Sequence, residues 1–172
     1  MNCVLEQIQK TREYLDYIEE HYNNVQKAWN VAKEKWVKLP IIYDDFKFSV
    51  LDGNIKLHDD SKLSEHELVQ YRRYFYPTNY EEHYAGKHFS KYGFNKAWEH
   101  HKKANGHHHN SEMIFGFYQE VYIAEMVLDW IAMGYKFGDT AKQFYEKEKV
   151  KMEYFDDSMH EYTKRLIDLF YG

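Results

Sequence analysis

Two prolines, Pro40 and Pro77, and eight glycines are the only residues in this 172-residue chain that break helices through their own backbone chemistry. Between them apolar residues recur at i, i+3 and i+4, the spacing that lines one face of a helix. Scarce breakers and that period together predict an all-α fold. No internal repeat, low-complexity tract or linker divides the chain, and its length suffices for one core. A single helical-bundle domain over residues 1–172 is therefore expected.

The first helix is predicted from about Val4 to Trp36. Its stripe comprises Leu5, Ile8, Leu15, Ile18, Val25, Trp29, Ala32 and Trp36. His21 lies on this stripe between Ile18 and Val25, so its imidazole should face the interior, as a hydrogen-bonded core group or as a ligand. Pro40 ends the region, and residues 44–50 read as a connector. A shorter helix over about 51–60 carries His58 and Asp59 near its C-terminal end. Ser64 and Glu67 have the spacing of a capping box, opening a helix that runs to about Tyr74 and stops before Pro77. Residues 76–89 read as a loop. A helix over about 90–103 presents His101 on its apolar face, and Asn105-Gly106 breaks it.

The next helix, over about 117–133, is apolar on nearly every side and must be buried. Asp129 sits in its middle, where an uncompensated carboxylate is expensive. It needs a cation, a metal or several hydrogen-bond donors, and Glu125, one turn earlier, can also point inward. Two further helices, over about 140–154 and 157–170, complete the chain. His160 reads as a surface residue.

The densest chemistry lies at Lys56-Leu57-His58-Asp59-Asp60-Ser61-Lys62, where an imidazole, a carboxylate and an ammonium fall within a few residues. Imidazole and carboxylate bind divalent transition ions, and an ammonium beside them suits a phosphate. His100, His101, His107, His108 and His109 form a second concentration that is dense for a solvated loop.

Net charge of −5 leaves no basic footprint for duplex nucleic acid or an anionic membrane. No run of about 20 apolar residues spans a bilayer. The lone Cys3 excludes an intramolecular disulfide and a cysteine-rich zinc site. With no apolar signal core at the N-terminus, a soluble cytoplasmic protein is expected. A homodimer is compatible with all of this.

Taken in order, His21, His58-Asp59 and Asp129 give an H…HD…D pattern that resembles the HD-domain superfamily of metal-dependent phosphohydrolases. The resemblance implies an HD-type helical bundle in which these four residues ligate one divalent ion. The form His58-Asp59-x-x-Lys62 is similar to that of cyclic-dinucleotide phosphodiesterases in the superfamily, whose lysine approaches the scissile phosphate. Those enzymes add histidines for a second ion, which here implies His101, His107 and His108; His109 is a candidate substrate contact or a support behind the ligands. Their GYP tripeptide is absent, so specificity for cyclic di-GMP does not carry over. The wider pattern H…HDDSK…AWxHH…NxHH…EMVxDW also resembles an uncharacterised family of small phage and bacterial HD-like proteins.

The expected chemistry is metal-activated hydrolysis of a nucleotide or nucleotide-like phosphoester, with Asp59 and Lys62 as catalytic residues and Lys62 also binding substrate. One or two ions of manganese, iron, cobalt, nickel or zinc suit such ligands better than calcium. Two other classes fit the same residues: a non-catalytic metal protein that binds a nucleotide signal or a host protein, and a di-iron oxygenase.

Overall fold

The computed structural model describes residues 3–36 and 44–171, and the side chains of all of these except 36, 85–89 and 171. The architecture is all-helical, with no strand among the described residues. Among the described residues seven α-helices follow in order: α1 Cys3–Trp36, α2 Asp45–Lys56, α3 Leu68–Phe75, α4 Gly86–Ala104, α5 Gln119–Phe137, α6 Ala141–Glu148 and α7 Asp157–Tyr171. The chain divides into two compact units. The first comprises Met1–Glu20 and Asp59–Ala104, the second His21–His58 and Asn105–Gly172.

The second unit is built around α5, which packs on α2 and α7. Ile123, Val127, Leu128 and Ala132 are buried on it, and Val121, Ala124 and Ile131 are buried as well, so the helix is apolar nearly all round. Val25 and Trp29 of α1, Leu51 and Ile55 of α2, and Leu166 and Phe170 of α7 close the same core. Local chemistry sets the helix ends. Asp44 caps α2, its Oδ1 accepting from the Phe46 and Lys47 amides at 2.8 and 3.0 Å. Gly138, at φ +85°, ends α5 in the left-handed conformation open to glycine. Thr140 and Gln143 form a reciprocal capping box at the start of α6. Two side chains tie α1 to α2: the Trp29 indole donates to Asp52 Oδ1 at 2.8 Å, and Gln26 donates to the Ile55 carbonyl at 2.6 Å.

The first unit has a smaller, tyrosine-rich core. Tyr14, Tyr71 and Ala97 are buried, with Tyr17, Ile18, Leu68, Tyr76 and Phe94 packed around them. An ionic network supports it: the Arg72 guanidinium forks onto Glu81, Arg73 adds a contact at 3.2 Å, and Thr78 donates to Glu81 from both its amide and its hydroxyl. Burial opposes ionisation of Glu81, but these donors outweigh it and hold its pKa at about 2.

Several elements differ from the sequence expectation. Residues 45–50 are the opening of α2, because Asp44 caps a helix there. His58 and Asp59 lie past the end of that helix, and Asp59 adopts the left-handed region at φ 58°, ψ 20°. Asp tolerates that region better than most residues, at a modest cost. The Ser64–Glu67 capping box does not form, since α3 begins at Leu68 and Glu67 makes no capping bond. The stretch read as a loop over 76–89 is largely helical, with a wide turn at Glu81–Ala85 running into α4. On α1, Val25, Trp29 and Ala32 are buried as expected, whereas Leu5, Ile8 and Leu15 are exposed and Tyr14 takes the interior position. Pro40 and the Trp36 side chain lie outside the described residues.

Candidate metal centre

In the second unit three elements bring imidazoles toward α5. His21 comes from α1, His58 follows the last turn of α2, and His107 sits in the turn after Asn105-Gly106. That turn lies so close to α5 that a Cβ on Gly106 would collide with the Tyr122 ring. Glycine is required there by close approach.

Glu125 organises the arrangement. It is buried, and its Oε1 accepts from His58 Nδ1 at 3.0 Å and lies 3.2 Å from His107 Nδ1. Its Oε2 accepts from the Asn54 amide at 3.0 Å. Burial pushes this carboxyl upward, but the charge and hydrogen bonds of His107 and His58 hold it well below the usual carboxylate range. Spending each Nδ1–H on Glu125 leaves each Nε2 with its lone pair. This is the carboxylate–histidine pairing that orients metal-binding imidazoles.

One turn along α5, Asp129 presents Oδ1 to the same space. His21 Nε2 lies 3.2 Å from it and His58 Nε2 lies 3.8 Å from it, while the two imidazole nitrogens are 3.3 Å apart. Ligand bonds of about 2.0–2.2 Å place neighbouring donor atoms roughly 2.8–3.6 Å apart around one ion; the 3.2 and 3.3 Å separations fall in that range and the 3.8 Å one just above it. Donor atoms of His58, His107 and Asp129 also lie within 4.8 Å of one another. Burial again opposes charge on Asp129, but the His21 and His58 imidazoles that face it hold its carboxyl well below the usual carboxylate range. Buried histidine and aspartate groups therefore stand within metal-binding distance, and their chemistry suits a divalent transition ion.

The first unit contains a second histidine–carboxylate cluster. His101 is buried, with Nδ1 donating to Glu67 Oε2 at 2.9 Å and Nε2 lying 3.2 Å from Asp59 Oδ1. Burial lowers the affinity of His101 for a proton, but the bonds to Asp59 and Glu67 outweigh it and raise its pKa. His100 Nδ1 donates to the other Glu67 oxygen at 2.6 Å. Lys62 Nζ pairs with Asp59 Oδ2 at 2.5 Å.

The expected residues thus distribute as follows. His21, His58, His107 and Asp129 share the cluster of the second unit, where the His108 ring packs 4.3 Å from that of His107 and His109 is half-buried in the same turn. Asp59, Lys62 and His101 share the cluster of the first. His160 is half-buried and bonds the Tyr145 hydroxyl at 2.9 Å instead of lying on the surface. Glu67 was hidden from sequence reasoning by its capping-box spacing. Glu125 was legible only as a second inward-facing acid on α5.

The chain belongs to a family of unknown function (DUF5662), whose model matches residues 10–171. No curated protein and no solved structure matches it. No helix among the described residues is long and apolar enough to cross a membrane.

Proposed function

We propose that the chain is a metal-dependent phosphohydrolase of the HD type, acting on a phosphoester of a nucleotide or nucleotide-like molecule. The observation that carries this reading is the meeting of His21 Nε2, His58 Nε2 and Asp129 Oδ1 at 3.2–3.8 Å around one point, with His58 aimed by Glu125. These residues and His107 would hold one divalent ion of manganese, iron, cobalt, nickel or zinc.

A bound ion of this kind supplies Lewis acidity and a water with pKa near neutrality. The chain's own groups supply the rest. Glu125 fixes the tautomer and direction of two imidazoles. Lys62, held on Asp59, offers an ammonium for the charge that develops on a phosphoryl group. Tyr74, Phe75 and Tyr80 are exposed and offer faces on which a base can stack, whereas Tyr71 belongs to the core.

The test is elemental analysis of protein purified without chelator or nickel resin. Beside it runs a panel of nucleoside mono- and triphosphates, cyclic dinucleotides and a chromogenic phosphodiester with each of the five metals. One ion per chain and turnover of at least one ester are expected. Protein that gains no metal on titration rejects the reading. Tight nucleotide binding without turnover makes the chain a binding protein, and iron with oxygen consumption makes it an oxygenase.

A further inference from the structure

Tyr14 is buried in the core of the first unit, 1% exposed, yet its hydroxyl has no hydrogen-bond partner among the described residues. A buried hydroxyl left in this state is costly, and native proteins retain few such groups without a reason. Its ring is well fixed, lying 6.3 Å from Tyr17 in a near-parallel stack at 15° and 5.9 Å from Tyr76. The hydroxyl is therefore held in one place by packing and not by a bond of its own.

Its surroundings are polar on one side. Tyr14 lies in the field of the Lys62 ammonium and of the Asp59 and Glu67 carboxylates. Lys62 Nζ sits 6.0 Å from the centre of the Tyr17 ring, the ring stacked on Tyr14. Burial, partly offset by Lys62, pushes the Tyr14 hydroxyl above its ordinary pKa, so it remains a proton-bearing donor across the physiological range. A fixed phenolic donor beside an ammonium is a combination that takes an oxyanion. The Asp59 and Glu67 carboxylates oppose an anion here and the Lys62 ammonium is the group that offsets them, while phosphoryl oxygens accept hydrogen bonds from such donors strongly.

We propose that Tyr14 is a substrate-binding residue whose hydroxyl donates a hydrogen bond to the phosphoryl oxygen neutralised by Lys62. This rests on the phosphohydrolase reading and extends it to a residue that no motif marks.

The experiment compares wild type with Tyr14→Phe, using inorganic phosphate as probe for thermal stabilisation and the chromogenic phosphodiester for kinetics. Tyr14→Phe removes one oxygen and adds nothing, so its melting temperature without phosphate should equal or exceed that of wild type. Phosphate should raise the wild-type melting temperature and raise that of the variant far less. kcat/KM should fall about ten- to hundredfold, the range for a hydrogen bond to a charged group. A variant that keeps the full phosphate-induced rise and the full rate overturns the assignment of Tyr14 while leaving the hydrolase reading intact. A variant that fails to fold, or melts lower than wild type without phosphate, marks the hydroxyl as structural and overturns it too. Wild type that neither responds to phosphate nor hydrolyses any ester overturns both.

Discussion

Each unit buries a glutamate that grips two histidines through Nδ1: Glu125 with His58 and His107, Glu67 with His100 and His101. The second carboxylate of each cluster has different company. Asp129 meets the Nε2 atoms of two imidazoles, whereas Asp59 meets an imidazole on one oxygen and the Lys62 ammonium on the other. Imidazole lone pairs around a carboxylate suit a cation, while an ammonium already in place suits an anion held beside it. The cores differ in parallel. The second unit rests on aliphatic burial around α5, and the first on a few tyrosines backed by the Arg72–Glu81 network.

The sharpest way to break this comparison is Asp129→Ala. It should lower metal affinity by more than about 100-fold and abolish turnover, read by elemental analysis and the ester panel. Full metal content in that variant would remove Asp129 from the ligand set. Leu128→Ala, at a fully buried site on the same helix, should cost about 2–5 kcal/mol in denaturant unfolding, since α5 is the centre of its core. A smaller effect would show that α5 is less central than its burial implies.

Glu125→Gln should keep the fold and weaken metal binding by about 10–100-fold, because the imidazoles lose the carboxylate that aims them. Unaltered affinity would leave Glu125 a packing residue. In the first unit the expected handle is acid. Glu81 is held at about 2 against an ordinary 4.5, so its contribution is complete above pH 4.5 and disappears as pH falls toward 2. The stability gap between wild type and Arg72→Met should therefore be about 1–3 kcal/mol near neutrality and shrink through that window. A gap independent of pH would mean that Arg72 acts through packing. The smallest effect belongs to Leu5→Ser on the exposed side of α1, expected within about 0.5 kcal/mol.

The helical class, the burial of α5 and the inward direction of His21 and Asp129 were legible in the sequence. Periodicity reports which face of a helix is apolar, and a carboxylate in the middle of such a helix must find compensation. The break at Asn105-Gly106 was legible for the same local reasons. Periodicity misled on α1, where Leu5, Ile8 and Leu15 continue the stripe but lie exposed. A stripe states what a helix can bury, not what its neighbours cover. The spacing of Ser64 and Glu67 misled in turn by suggesting a capping box, although Glu67 instead spends both its oxygens on His100 and His101.

By itself, then, the sequence determined an all-helical chain with a charged residue committed to the interior of its most apolar helix. It also determined that an imidazole and a carboxylate stand side by side at His58 and Asp59. Only the tertiary structure decided which acids stand behind which histidines. It also turned Asp59 into a left-handed residue beyond the end of α2 and left the Tyr14 hydroxyl buried without a partner among the described residues. The physical reason is range: helical period and caps act over a few residues, whereas the pairings of Glu125 with His58 and of Glu67 with His101 span 67 and 34 positions. No pattern along the chain carries their geometry.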